Sequence, residues 1–315
     1  MTGYIVRRLA QSVVVVLGVT LVVFILEHLI PGSLAHAILG PRASAASVKA
    51  FEAANGLDHP LVVQYAVFLG HLLEGNLGRS YRLNETVDSL VAHELPNDVL
   101  LVGTALVLAL AVAIPLGIAQ ARRRNSAFDH ATTGVVFALY STPSYCLGLL
   151  LVAGLAVGLR AFPPEAPQYA GLAGVLHDPK GLVLPVLTLT LVNVALFIRY
   201  MRSAAISTLA EDFVTAARAK GAGGLGLLLR HVLRNSLASV ATLVGLSLPA
   251  VFTSGLVVEY LFNYPGIGLT YFTAAANSDY PLMLGITVLV GTATVAGNLL
   301  ADLSYALLDP RVRYG

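Results

Sequence analysis

The sequence predicts an all-α membrane protein with six transmembrane helices. Only 11% of its 315 residues are charged, 57% are apolar, and the mean hydropathy is +0.78. A soluble domain carries about 25% charged residues, so the bilayer is the main solvent of this chain. Six apolar runs are each close to the roughly 20 residues that a helix needs to cross the hydrocarbon core.

The six predicted spans form one integral-membrane domain over residues 1–315. They cover residues 9–30, 99–121, 131–159, 182–198, 237–258 and 282–300. Arg7 and Arg8 before the first span, with Ala35-His36-Ala37 after it, imitate a secretory signal peptide. The apolar run exceeds the roughly 7 to 15 residues of a signal core, so we expect an uncleaved first helix.

The first connection, residues 31–98, is predicted to be an ordered extracytoplasmic cap. Gly56, Pro60 and the segment Gly75-Asn76-Leu77-Gly78 divide it into short helices and turns. The remaining spans form a core over residues 99–300, followed by a cytoplasmic tail over residues 301–315.

The distribution of basic residues predicts the orientation. Thirteen of the nineteen Lys and Arg residues lie before the first span, between spans two and three, between spans four and five, or in the tail. The positive-inside rule therefore places both termini in the cytoplasm. The formal net charge is only +2, which gives no support for nucleic-acid binding.

The longest cytoplasmic connection, residues 203–236, contains a mixed-charge helical segment at 211–221. Leu209, Phe213, Ala216 and Ala217 fall at helical spacing on one face, where the small alanine side chains allow a close approach by another protein. Gly221 is predicted to end this helix in a left-handed conformation. Gly223 to Gly226 then reverse the chain before a second short helix with His231, Arg234 and Asn235, which predicts a helix-turn-helix elbow.

No residue pattern for catalysis or metal binding is evident in the sequence. The eight histidines are scattered, and the single cysteine, Cys146, lies in an apolar run as an expected core residue. Glu27, Glu259 and Asp302 lie near span ends, where we expect local capping or pairing with another subunit rather than a proton relay.

At the cytoplasmic segment the sequence resembles the inner-membrane permeases of ABC importers, in particular the dipeptide, oligopeptide and nickel subfamily. Thr215-Ala216-Ala217, three further residues and Gly221 stand at the spacing of the EAA motif of this family. Thr215 replaces the usual glutamate, and Leu233-Arg234 stands where the motif ends in Leu-Pro.

The resemblance covers nearly the whole chain. It includes Tyr4, Arg7-Arg8, Gly56-Leu57-Asp58 with Pro60, Gly75 to Ser80, Ser141-Thr142-Pro143, Leu184-Pro185, Glu259 with Phe262, Pro265-Gly266-Ile267-Gly268, and Asp309-Pro310-Arg311.

The resemblance implies a type I ABC importer permease fold in a bacterial inner membrane. It implies a second homologous permease, two ATPase subunits or domains, and an extracytoplasmic binding protein as partners. ATP and Mg²⁺ would be bound by the ATPases, because this chain has no phosphate-binding loop. The residues implied to couple to the ATPase are Asp212, Phe213, Thr215, Ala216, Ala217, Arg218, Ala219, Lys220 and Gly221.

The function implied is passage of dipeptides or oligopeptides, with nickel chelates or glutathione-like molecules as alternative substrates. A secondary transporter driven by an ion gradient is a rival from another class, but neither an internal repeat nor a central acidic residue is evident. An intramembrane hydrolase is a further rival, and it would need a nucleophile and a base at one depth.

Overall fold

The computed structural model describes residues 2–29, 33–40, 42–54, 56–80, 82–168, 171–247 and 255–308. These residues are helical apart from turns and one two-stranded antiparallel hairpin, β1 (Arg79–Ser80) and β2 (Glu85–Thr86). Four helices precede the hairpin: α1 (Thr2–His28), α2 (Ser33–Leu39), α3 (Ala45–Ala54) and α4 (Leu61–Leu73). The next four are α5 (Val87–Arg122), α6 (Ala127–Ser141), α7 (Ser144–Leu151) and α8 (Gly171–His177). The later helices are α9 (Pro179–Leu209), α10 (Asp212–Ala219), α11 (Gly224–Leu227), α12 (Arg234–Ser247), α13 (Leu256–Leu261), α14 (Ile267–Ala276) and α15 (Tyr280–Leu308). Two π-helical segments, Val152–Gly158 and Leu228–Leu233, continue α7 and α11.

Two compact units are present. The first unit comprises residues 1–96 and 266–315. In it, α1 packs along α15, which also contacts α14 and β1. A Cβ atom at Gly291 would lie 2.7 Å from Cγ1 of Val19, so the crossing of α1 and α15 requires glycine at this position. The buried Ser80 hydroxyl donates a hydrogen bond to Asp279 and fixes the hairpin beside the start of α15.

The second unit comprises residues 97–265, and α9 is its central helix. The helices α6, α7, α12 and α13 all contact α9. Buried residues make up 61% of the most apolar window of α9, compared with 17% for that of α1. The outward-facing valines of α1 therefore form a surface suited to lipid, whereas α9 is packed mainly against protein.

Four described helices are long and apolar enough to cross a membrane. The spanning segments are Val6–Leu26, Val87–Arg122, Pro179–Leu209 and Tyr280–Leu299. Together with a bent pair of helices, they give up to five spans in the described part of the chain. The predicted span 237–258 includes residues 248–254, which lie outside the described residues, between α12 and α13.

The prediction of one continuous helix over residues 131–159 is wrong. Helices α6 and α7 with its π-helical continuation are bent by 104° relative to each other. The break lies at Thr142, whose backbone is extended (φ −88°, ψ 124°), and Pro143 follows it. A proline disfavours the helical conformation of the residue before it, so the pair Thr142-Pro143 ends α6.

The residues of the predicted cap, 31–98, form α2, α3, α4, the hairpin and the first three turns of α5. Gly56, Gly75 and Gly78 all have positive φ angles, at +65°, +81° and +95°, in the turns between these elements. α5 begins at Val87, so residues 87–98 of the predicted cap are the first turns of this helix. Its first turns carry Asp88, His93 and Glu94, so hydropathy does not show where the helix begins.

Candidate functional site

The mixed-charge segment forms an eight-residue helix, α10, within the predicted range 211–221. Ala210 and Glu211 separate it from α9, and Glu211 has an extended backbone (φ −72°, ψ 146°). Asp212 lies in the first turn and Arg218 in the last. Both charges therefore have the sign that stabilises the helix dipole at their end.

Gly221 ends α10 in a left-handed conformation, with φ +86°. The Gly221 N–H donates to the Arg218 carbonyl (3.0 Å), and the Ala222 N–H donates to the Ala217 carbonyl (3.0 Å). This pair of bonds is a Schellman motif, which satisfies two carbonyls that the helix itself leaves open. A Cβ atom at Gly221 would meet nothing within 4 Å. Glycine is therefore required for its backbone angle and not for space inside this chain.

One side chain anchors α10, and most of the others are exposed. Val214 is fully buried, and Ala217, one turn later, is half-buried. Phe213 is 42% exposed. The exposed members of the predicted coupling set are Asp212, Phe213, Thr215, Ala216, Arg218, Ala219 and Lys220.

One member of the predicted helical face, Leu209, lies outside α10. Leu209 is the last residue of α9 and does not share a helix with Phe213 and Ala216. Sequence reasoning also missed Val214 as the anchor. The spacing of Val214 and Ala217, both apolar and three residues apart, is the signal that could have indicated the inward face.

The base of the elbow is built from α9 and the helical segment that follows α10. Ala205 of α9 packs in one buried cluster with Leu228 and Val232. The Ser236 hydroxyl donates a hydrogen bond to the Thr208 hydroxyl (3.1 Å) and joins α12 to α9 in the interior. The second short helix of the prediction is wrong, because helical structure continues from Gly224 through the π-helical segment to Ser247.

His231, Arg234 and Asn235 lie in this second arm, at the junction of the π-helical segment and α12. Asn235 donates from Nδ2 to the His231 carbonyl (2.7 Å). The side chains of Arg234 and Asn235 are exposed. Their role in the described residues is thus local, on the outer surface of the elbow.

An ion pair joins α9 to the start of α6. Arg202 donates from Nε to Oδ1 of Asp129 and from Nη2 to Oδ2, both at 2.8 Å. The Asn125 N–H donates a third bond to Oδ2 (3.0 Å). The Asp129 side chain is 2% exposed, so its charge is stabilised almost entirely by these donors. Arg202 lies two turns, about 10 Å, before the end of α9, and the pair therefore connects the elbow to a second helix.

Of the three acidic residues that the sequence places near span ends, the structure describes the side chain of one, Glu259. The side chains of Glu27 and Asp302 lie outside the described residues. Glu259 is 1% exposed in α13, so its carboxylate is packed inside this chain and is not presented to another subunit. Burial raises the pKa of the nearby Tyr264, and the charges of Asp98 and Glu259 raise it further. The Tyr264 hydroxyl donates to the Asn97 carbonyl (2.7 Å).

The described residues contain no group of three or more His, Cys, Asp or Glu side chains placed to hold a metal ion. Cys146, predicted as a core residue, is half-buried in α7.

The chain matches a known protein family over nearly all of its length. Residues 113–314 match the binding-protein-dependent transport system inner membrane component, and residues 1–102 match the N-terminal region of the same class of membrane components. The chain is similar to the oligopeptide transport system permease protein AppB of Bacillus subtilis, with 34% identity and 100% of both chains covered. It is also similar to a putative peptide permease protein of Brucella suis, with 35% identity and 99% of both chains covered.

A third relative, a probable peptide ABC transporter permease protein of Sinorhizobium fredii, is 32% identical, with 99% of both chains covered. These matches leave no large part of the chain outside the resemblance. The chain belongs to the family of inner membrane components of binding-protein-dependent transport systems, and it is a multi-pass permease component rather than the ATPase.

Proposed function

We propose that this chain forms half of the translocation pathway of an ATP-driven importer for dipeptides or oligopeptides. Peptides are proposed because the relatives that match over their full length are named as permeases of oligopeptide or peptide transport systems. In this proposal the chain has the type I importer fold with six spans, and both termini lie in the cytoplasm. The distribution of its basic residues supports this orientation.

The complete transporter would contain a second homologous permease, two ATPase subunits or domains, and an extracytoplasmic binding protein that delivers the peptide. ATP and Mg²⁺ would be held by the ATPases. The role of this chain is conformational: it would alternate between packings that open the pathway to one side of the membrane or the other.

The proposal rests mainly on which residues of α10 are buried and which are exposed. This helix is anchored by Val214, ended by a glycine turn, and exposed on the sides that carry Phe213 and Ala216. A large aromatic side chain beside small residues suits a pocket on a partner, because the aromatic ring can insert while the alanines allow close approach. We therefore propose Asp212, Phe213, Thr215 to Lys220 and Gly221 as the surface that docks on the ATPase.

The arms of the elbow are built to transmit a displacement of α10. Its anchor Val214 is buried, the Thr208–Ser236 hydrogen bond joins the two arms, and the Arg202–Asp129 pair continues to α6. Packed interiors resist gradual deformation, so a push on α10 would move these helices together. Closure of the ATPases is proposed to supply that push.

The test is ATP-dependent uptake of peptides by the complete complex in liposomes. The complex of the chain and the proteins encoded beside it should take up labelled oligopeptides when ATP and the binding protein are supplied. Competition by unlabelled dipeptides, oligopeptides, nickel chelates and glutathione would rank the substrate classes. Uptake that an ion gradient drives without ATP would contradict the proposal and favour a secondary transporter.

A variant links the uptake to α10. Gly221→Asp places an L-residue at φ +86° and a negative charge on the docking surface, so we expect energised uptake to be lost while the protein still inserts. Gly226→Asp is the matched control, because Gly226 has neither a positive φ nor a close neighbour. Equal uptake by wild type and Gly221→Asp would refute the role of α10.

A further inference from the structure

A cavity of about 200 Å³ lies between α5, α6 and α9 in the second unit. We name it the basic niche. Its lining combines two arginines, two neutral polar residues and two apolar residues: Arg199, Arg202, Gln120, Thr133, Val136 and Ile198. Of these six residues, only Arg202 takes part in the coupling proposed for α10, through the atoms that bind Asp129.

The basic niche offers hydrogen-bond donors to an anion. Asp129 engages Nε and Nη2 of Arg202, which leaves the Nη1 group available among the described contacts. The exposed Arg199 side chain is positioned by Tyr140, whose ring centroid lies 4.6 Å from Cζ of Arg199. The Thr133 hydroxyl accepts from Nε2 of Gln120 (3.3 Å), so its own hydrogen can be donated elsewhere. Two guanidinium groups and a hydroxyl match the oxygens of a phosphate.

Gln120 holds part of the niche wall in place. It is 1% exposed, and its Nε2 group donates to the Asp129 carbonyl and to Thr133. These two bonds tie Thr133 to the residue that pairs with Arg202.

The surroundings favour a ligand that lies in the membrane. Arg122, Arg123 and Arg124 are exposed in the turn before α6, so the electrostatic potential at this end is positive. Asp129 is already neutralised by Arg202. Beyond the niche, the outer surface of α6 is apolar, with Phe137 69% exposed and Tyr140 54% exposed. A headgroup in the niche could therefore continue into acyl chains along α6.

We infer that the basic niche binds the phosphate of an anionic phospholipid, such as phosphatidylglycerol. Arg199, Arg202 and Thr133 hold the phosphate oxygens. Basic pockets between spanning helices on the cytoplasmic side are the usual sites for such headgroups. The bound lipid links α5, α6 and α9. This inference does not depend on which substrate the importer carries.

The test is lipid retention by the purified chain. The full chain is extracted from membranes that contain phosphatidylglycerol and phosphatidylethanolamine, exchanged into a mild detergent, and analysed by native mass spectrometry. We expect one retained phosphatidylglycerol in the wild type. Arg199→Gln removes a charged donor without touching the Asp129 pair, and should weaken retention about tenfold. Thr133→Val keeps the side-chain shape and should weaken it about threefold.

Arg124→Gln is the matched control, because it removes an exposed arginine of the same end that does not line the niche. Its retention should equal that of the wild type. Loss of lipid to the same extent in Arg199→Gln and Arg124→Gln, or no preferential retention in the wild type, would overturn the inference. If Arg199→Gln fails to fold, lipid retention by Thr133→Val tests the inference instead.

A second arm separates a lipid from a soluble phosphate. Thermal unfolding is measured with added phosphatidylglycerol, glycerol phosphate or inorganic phosphate. Stabilisation by the lipid alone, lost in Arg199→Gln, supports the inference. Stabilisation by millimolar inorganic phosphate or glycerol phosphate, with no lipid retained, would overturn the assignment to a lipid.

Discussion

Replacement of Phe213 by alanine should weaken docking of the ATPase without unfolding the permease. Phe213 is 42% exposed, and a phenylalanine presents about 200 Å² in total, so docking can bury roughly 80 Å² of apolar surface. At about 25 cal/mol per Å², this area contributes about 2 kcal/mol, or roughly a 30-fold change in affinity per docking site. The rest of the residue is already covered within this chain, so the substitution also removes packing of α10 on its own chain. The thermal stability of the isolated permease is therefore measured alongside, to separate that loss from the loss of docking.

The assay measures binding of the ATPase to the permease in nanodiscs, together with peptide-stimulated ATP hydrolysis. Phe137→Ala is the matched control, because Phe137 is 69% exposed on the spanning helix α6. We expect Phe213→Ala to lower affinity and stimulated hydrolysis, and Phe137→Ala to leave both unchanged. Equal affinities of wild type and Phe213→Ala would refute the assignment of Phe213 as an anchor of the docking surface.

Three further predictions concern how α10 and its base are held. Gly221→Ala forces an L-residue to φ +86° at a cost of about 1 kcal/mol, so amide exchange in α10 should accelerate about fivefold, whereas Gly226→Ala should not change it. Val214→Ala deletes two buried methyl groups and should destabilise the anchor of α10 by about 1.5 kcal/mol, measured by the same exchange experiment. A double-mutant cycle of Asp129→Asn and Arg202→Met should give a coupling energy of about 2 kcal/mol in chemical unfolding, below that of a fully buried pair because Arg202 is 31% exposed. A coupling energy near zero would mean that the ion pair does not stabilise the contact of α6 with α9.

The features predicted correctly from sequence depend on local rules. Apolar runs indicate spanning helices because the bilayer imposes a length, and the resemblance to the permease family follows from motifs spread along the whole chain. The turn at Gly221 was predictable because few residues other than glycine adopt a left-handed conformation without strain. The limits of α10 were predictable because a mixed-charge helical segment closed by glycine has recognisable ends.

The features that were missed depend on tertiary packing. Val214 and Phe213 are adjacent apolar residues, and only the position of the elbow base decides that Val214 is buried and Phe213 is exposed. The pair Arg202–Asp129 joins residues 73 positions apart, so no spacing rule reveals it. The basic niche, on which the lipid inference depends, likewise arises only when α5, α6 and α9 pack together.

Boundary errors have a related cause. The early start of α5 at Val87 was missed because the first turns of the helix are polar. The hydropathy signal therefore begins only after the helix has begun. The break at Thr142 was missed for the opposite reason, because the apolar run continues across a proline that interrupts the helix. Hydropathy reports where lipid can lie, whereas helix limits depend on backbone geometry.

Docking of α10 on the ATPase is tested most directly by site-directed cross-linking in the complete complex. Cys146→Ser removes the single native cysteine, and a cysteine is then introduced by Ala216→Cys on the exposed side of α10 or by Val62→Cys at an 81% exposed position of α4. A short thiol-reactive cross-linker should join the ATPase to the chain carrying Ala216→Cys and should not join it to the chain carrying Val62→Cys. Active complexes in which the ATPase cross-links through neither position would contradict the docking surface. Cross-linking through Val62→Cys instead of Ala216→Cys would contradict the proposed orientation as well.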